Sequence, residues 1–359
     1  MPLTLYVDGD RWRAHLRSAA EAEPGLVPVA KGNGYGFGLA RLARRSAWLG
    51  ADTVAVGQYD EIETVRTRFA GSVLVLTPWR PFHDAPLAGP LARRVVHTVG
   101  RSEDLADLVR RADLPGTGPR VVLELMTSMR RHGFSGTGLR EAVASVPGNV
   151  SVEGIALHLP LADGTDGTGG GGHLGEVERL MTDVVAADLD TRTVWVSHLA
   201  DTELARLRAS YPEHVFRPRV GTALWLGDRG ALHPRATVLD VHPLERGTPY
   251  GYRGRSAPRS GTLLVVAGGT AQGIGLEAPA GDTSVRSRAG TLARGGLEAA
   301  GWARSPFTVA GKRRLFAEPP HMQVSLLLLP AGVRPPEVGE EVDVRVRYTT
   351  TGFDRVVVD

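Results

Sequence analysis

Short apolar runs alternate with amphipathic stretches through the first two thirds of the chain. Residues 3–7 alternate in the manner of a strand and stop at Asp8-Gly9-Asp10, before a helical pattern with Trp12, Leu16 and Ala19 on one face. Strand-like runs then fall at 26–30, 53–56, 73–76, 94–99, 121–125, 150–158, 193–198 and 215–220. Helical periodicity separates many of them, at 39–49, 61–69, 102–112 and near 138–146, 175–187 and 202–209. Alternation of this kind predicts parallel β/α units joined by right-handed crossovers. Eight units point to a (β/α)8 TIM-type barrel over an open doubly wound sheet.

Beyond about residue 233 the pattern changes. Strand-like runs at 238–241, 262–266, 323–329, 342–348 and 355–358 follow one another across Gly and Pro turns without long helices between them. The expectation is a barrel over residues 10–232 and an all-β domain over 233–359, joined by the N-terminal strand at 1–9. Residues 163–172, D-G-T-D-G-T-G-G-G-G, are low-complexity and read as a mobile loop.

Composition narrows the function classes. Hydrophobic residues at 42% and charged ones at 23% describe an ordinary globular protein. A formal charge of +3 over 359 residues, with its arginine pairs scattered, argues against nucleic acid as a partner. The chain has no cysteine, which excludes thiolate metal sites and Cys nucleophiles and fits a reducing compartment. No signal peptide is read at the N-terminus, and the apolar runs fall far short of the ~20 residues needed to span a bilayer. The expected location is the cytoplasm, with no membrane association.

Of 42 basic residues only Lys31 and Lys312 are lysines. Arginine does not give up its proton, so it cannot act as an amine nucleophile or form a Schiff base. Lys31 follows an apolar run and opens the Gly-rich stretch V-A-K-G-N-G-Y-G-F-G at 29–38. By itself this stretch fits a Schiff-base lysine, a phosphate-binding lysine or a plain loop residue. The barrel rim adds to it, because barrel active sites lie at the C-terminal ends of the strands. Residues 127–131 follow the fifth barrel strand, His158 ends the sixth, His198 with Asp201-Thr202 ends the seventh, and Arg219 to Thr222 end the eighth. A lone His or Arg there is most often a structural rim residue. Several of them around a lysine point to a site. Backbone N–H groups at Thr202, Gly221 and Thr222 suit a phosphate after the last two strands. Lysine, barrel and phosphate cradle together describe a pyridoxal phosphate (PLP) site. Nucleotide binding lacks a P-loop or a placed G-x-G-x-x-G, and a metal site lacks a third ligand beside His158 and His198.

At these residues the chain resembles the alanine racemases, fold-type III PLP enzymes with a barrel and a C-terminal β domain. V-A-K-G-N-G-Y-G-F-G resembles the family's A-K-A-N-A-Y-G-H-G, and E-L-M-T-S-M-R-R-H-G-F its K-V-D-T-G-M-x-R-x-G. G-I-A-L-H, S-H-L-A-D-T, F-R-P-R-V-G-T and T-P-Y-G-Y match further family segments in order. The likeness is strong to about residue 252 and looser beyond, as in a divergent member. It implies a racemase interconverting L- and D-alanine or a similar amino acid, supplying D-amino acids to the cell wall. Lys31 would carry PLP and act as one acid/base, and Tyr250 of the partner subunit would be the other, in a head-to-tail homodimer. Tyr35, Thr202, Gly221 and Thr222 would hold the phosphate, Arg219 the pyridine nitrogen, and His158 would support Arg219. Arg131 and Met322 would meet the substrate carboxylate. Some positions depart from the family. Gln323 stands where the family has Asp, Thr270 and Gln272 replace a Tyr and an Asp, and Glu124 and Met126 replace a Lys and an Asp; Tyr348 is the candidate for a late tyrosine near the phosphate. The alternative is a PLP-binding relative without racemase activity or with another substrate. Decarboxylases of similar shape rely on a Cys that this chain lacks, and the small PLP homeostasis proteins lack a β domain.

Overall fold

The computed structural model describes residues 2–112, 118–161, 173–276 and 303–359. The loop expected at 163–172 lies outside them. The chain forms two compact units. One comprises Ala14–Gly34 and Gly38–Gly227, the other Met1–Arg13, Tyr35–Phe37 and Asp228–Asp359.

The N-terminal strand β1 (Leu3–Val7) and helix α1 (Gly9–Ala22) precede eight parallel strands. These are β2 (Val27–Pro28), β3 (Thr53–Val56), β4 (Ser72–Val75), β5 (Val95–Val99), β6 (Arg120–Leu125), β7 (Ser151–His158), β8 (Thr193–Ser197) and β9 (Val215–Val220). Their lateral order is β2-β9-β8-β7-β6-β5-β4-β3, and a bridge between Val29 and Ala55 closes the ring. Alternate residues of a strand face opposite sides. Val27, Val29, Ala55, Leu74, Val96, Val122, Ala156 and Trp195 accordingly form one buried cluster. Each Val or Leu buried there contributes roughly 1.5–3 kcal/mol. Between the strands run α2 (Leu39–Trp48), α3 (Ile62–Arg66), α4 (Gly89–Ala92), α5 (Ser102–Arg111), α6 (Gly136–Ser145), α7 (His173–Ala186), α8 (Asp201–Ser210) and α9 (Thr222–Leu226). Strand β2 is shorter than its apolar run. Pro28 has no N–H to pair, and Ala30 already leads into the glycine-rich turn.

The second unit is built on β10 (Leu232–Leu244), long enough to pair with three partners. The ring closes as β10, β13 (Gly261–Ala267), β16 (Val324–Pro330), β15 (Lys312–Phe316), β14 (Arg304–Val309), β17 (Glu341–Val344) and back to β10. Strand β1 lies antiparallel to β10, with β18 (Arg355–Val358) parallel beyond it. A short hairpin of β11 (Pro249–Tyr250) and β12 (Arg255–Ser256) stands apart from this sheet. Leu3, Val238, Leu264, Phe307, Leu327 and Val344 belong to its core.

Two expectations need correction. The expected succession of β strands lacks the β14–β15 hairpin, because Pro306 and the run Lys312-Arg313-Arg314 mask its alternation. Arg314 is buried nonetheless, its guanidinium satisfied by the Val309 carbonyl at 3.0 and 2.6 Å. The run at 342–348 ends as a strand at Val344, and Arg345 N–H instead donates to the Pro306 carbonyl at 3.0 Å. No helix among the described residues is long and apolar enough to cross a membrane.

Candidate active site

Lys31 leaves the barrel between two fixed strands. Val29 N–H donates to Val220 O at 2.9 Å and Ala30 N–H to Ala55 O at 2.7 Å. The buried Trp225 indole N–H donates to Val29 O at 2.7 Å, so the α9 turn is tied to the strand end beside Lys31. On the other flank the Glu61 carboxylate accepts from Gly32 N–H at 2.6 Å, Gly57 N–H at 2.6 Å and Gln58 N–H at 3.2 Å. One side chain thus joins the lysine turn to the loop after β3.

Around the lysine stand the groups expected at the strand ends. Lys31 is an exposed residue, but its amine sits low enough that burial is the largest cause holding its pKa below the usual lysine range. The Arg131 and Arg219 charges push the same way, and Glu61 opposes them. Arg219 is buried on β9, donates to Leu157 O at 3.0 Å, and is lowered to about 10 by burial, with Glu124 opposing. His158 is lowered to about 3 by burial and the Arg219 and Arg131 charges, so it is neutral near pH 7. Its ring meets that of His198 edge-on at 5.3 Å, and His198 is lowered for the same reasons. Thr127 donates its hydroxyl to His158 O at 2.6 Å, linking the loop that carries Arg131 to the end of β7.

The arrangement pairs a lysine biased toward its neutral, nucleophilic form with two fixed guanidinium charges. Such a mouth favours an anionic ligand bearing an electrophilic carbon. Thr202 is exposed in the first turn of α8, and Gly221 immediately precedes Thr222 at the start of α9. Both are at the ends of β8 and β9. Among the described residues no group of three or more His, Cys, Asp or Glu is arranged to hold a metal ion.

The family model described as "Alanine racemase, N-terminal domain" matches residues 7–228, more than half of the chain. The protein belongs to the alanine racemase family. Its curated relatives include the alanine racemase of Nitratidesulfovibrio vulgaris, 28% identical over 278 residues that make up 72% of each chain. Among solved structures, the alanine racemase of Streptomyces lavendulae superposes with a TM-score of 0.70 at 20% identity, over 100% of this chain and 97% of that one. The histidine racemase of Leuconostoc mesenteroides superposes at 0.67 and 18%, over 100% and 98%. At these identities the superpositions show the shared fold, an eight-stranded parallel barrel with a C-terminal antiparallel β domain.

The alanine racemase family is PLP-dependent. The barrel residues fit that group on a feature of this chain: the Arg219 Nε is buried and has no hydrogen-bond partner among the described residues. A donor left this way is costly unless a ligand acceptor meets it. A second buried orphan, Glu124 Oε2, lies in the field of Arg219 and Arg131, and burial raises the pKa of its carboxyl. The remaining family positions belong to the β unit. Tyr35 is buried with φ 55°, Tyr250 donates its hydroxyl to Ala317 O at 3.2 Å, and Met322 is 73% exposed. Tyr348 is buried with the Arg229 guanidinium 4.7 Å over its ring, and burial raises its pKa to about 12. Glu61 and Trp225 are not among the residues that the sequence singles out. A carboxylate three residues after Gln58 at a helix start, and an indole N–H needing a partner, were the available signs.

Proposed function

We propose that the protein is a PLP-dependent racemase interconverting L- and D-alanine, providing D-amino acid for cell-wall synthesis. The observation that carries this reading is the lysine amine biased toward neutrality beside an arginine whose buried Nε has no partner among the described residues. Lys31 would bind the cofactor covalently, with Tyr35, Thr202, Gly221 and Thr222 around its phosphate and Arg219, supported by His158, at the ring nitrogen. When bound, PLP supplies an electron-withdrawing ring that makes the α-proton of an attached amino acid removable. Arg219 stays charged near pH 7, so it would donate a hydrogen bond to the ring nitrogen without giving up a proton. Arg131 would fix the substrate carboxylate, with Met322 beside it.

Inverting a stereocentre requires a proton removed from one face and delivered to the other. Lys31 would serve one face and the partner subunit's Tyr250 the opposite one, which makes a homodimer the working form. Free Lys and Tyr titrate near pH 10, so a lowered Lys31 pKa suits work closer to neutrality. The test is polarimetry of the PLP-loaded protein with L- and D-alanine, and with serine and histidine as competing substrates. Alanine is expected to lose its optical activity fastest, and unchanged rotation for all three would refute the racemase reading. A second reading, another amino acid as substrate, is favoured by Gln323, Thr270 and Gln272 in place of the family's residues and by a histidine racemase among the structural relatives. Faster turnover of histidine or serine would select it.

A further inference from the structure

We infer that Glu318 is a positioning residue for Tyr250, holding the turn that aims its hydroxyl. The inference rests on the reading of Tyr250 as an acid/base. Glu318 is only 4% exposed. A buried carboxylate is costly unless its oxygens are satisfied. Here both oxygens accept from a single backbone group, Tyr252 N–H, at 3.2 and 3.1 Å. Gly251, between Tyr250 and Tyr252, has φ +71°, and a Cβ there would lie 2.3 Å from Glu318 Oε2. The backbone of the turn therefore lies directly against the carboxylate, and its positive φ favours glycine.

Tyr250 is held from both ends by consecutive residues. Its hydroxyl donates to Ala317 O at 3.2 Å, while the backbone two residues on is held by Glu318. Ala317 is fixed in turn by its N–H to Leu326 O at 2.8 Å. On the far side His321 Nε2 contacts Glu318 Oε1 at 2.7 Å and packs its ring 4.4 Å from that of Tyr252. His321 N–H is anchored to Val324 O at 2.9 Å. The carboxylate therefore connects β16 and its preceding loop to the β11 turn. Carboxylate and imidazole also line a cavity of about 810 Å³ with Tyr252, Thr270 and Met322, so solvent reaches the turn from the open side. Without the clamp, Tyr250 keeps its pairing with Arg255 and the hydrogen bond of its hydroxyl to Ala317 O, while the backbone at Tyr252 loses its acceptor.

The test compares Glu318→Ala, Glu318→Gln, Tyr250→Phe and the double variant Tyr250→Phe/Glu318→Ala as PLP-loaded proteins in D2O, with L- and D-alanine as separate probes. A two-base enzyme missing one base still washes out the α-hydrogen of the enantiomer served by the other. Glu318→Ala is expected to slow racemisation at least tenfold and to slow washout from one enantiomer, leaving the other enantiomer, the cofactor absorbance and the melting temperature near wild type. Amide exchange at Tyr252 should accelerate. Glu318→Gln, which keeps an acceptor for that N–H, should recover part of the rate, and the double variant should be no slower than Tyr250→Phe. Equal loss of washout from both enantiomers, or unchanged amide exchange at Tyr252 in Glu318→Ala, would overturn the inference. If Tyr250→Phe itself leaves both washouts intact, the acid/base reading of Tyr250 fails, and amide exchange alone decides whether the clamp exists.

Discussion

At Lys31 the chain places one of its two lysines where burial and the charges of Arg131 and Arg219 favour the neutral amine. Replacing Lys31 with Arg keeps the charge and removes the chemistry, so it is expected to abolish the absorbance of the bound cofactor and the borohydride-fixed mass increase as completely as Lys31→Ala does. A protonated amine cannot attack a carbonyl, and a lowered pKa supplies neutral amine at lower pH. Removing the like charge in Arg131→Ala should raise the Lys31 pKa, shifting half-maximal capture of PLP to higher pH in stopped-flow absorbance. An unmoved profile would contradict the part assigned to Arg131. Lys31, His158, Arg131 and Arg219 were legible in the sequence because strand ends on one barrel rim converge whatever the details of packing. Glu124 was visible as a departure from the family, but its depth was not, since burial depends on strands distant in sequence.

At the scale of single elements, the turn after β2 is set by the loop after β3. A Cβ at Gly57 would lie 3.1 Å from Lys31 Cβ and 3.2 Å from Glu61 Oε2, so a side chain there would have to displace the lysine turn or the Glu61 carboxylate by a few tenths of an ångström. Gly57→Ala should therefore weaken PLP retention while far-ultraviolet circular dichroism stays near wild type. Glu61→Ala leaves three backbone donors without their acceptor, two of them beside the lysine turn. A loss on the order of 2 kcal/mol in PLP affinity, about thirtyfold by equilibrium titration, is expected. Unchanged affinity would show that the turn holds itself. The barrel strands could be read from their apolar runs because a strand buried on both faces needs no alternation. The β14–β15 hairpin could not, since its buried Arg314 is paid for by a carbonyl that only tertiary structure supplies.

For the molecule as a whole, acid should be more damaging than the scattered surface charges suggest. His97 is buried on β5, accepts or donates at 3.0 Å with the Tyr59 hydroxyl, and is lowered to about 3 by burial. The unfolded chain takes up that proton near pH 6.5, the folded one only near 3. Stability is thus intact above pH 6.5 and falls as pH drops toward 3, by an amount on the order of a few kcal/mol. His97→Gln should flatten the dependence of urea midpoint on pH across that interval, and an equally steep dependence would remove His97 as its source. A last consequence lies in how the chain is shared between its two units. Residues 2–13 count with the β unit, the next stretch with the barrel, Tyr35–Phe37 with the β unit again, and the chain then returns to the barrel. Within the β unit, Phe37 stacks on Trp12 at 4.7 Å, and a Cβ at Gly36 would come within 2.8 Å of Phe353. Neither unit is a continuous length of chain, so no single cut frees one of them from every residue of the other. Melting of the β sheet and loss of cofactor absorbance at Lys31 should coincide in one thermal transition, and a proteolytic fragment ending near residue 227 should retain neither.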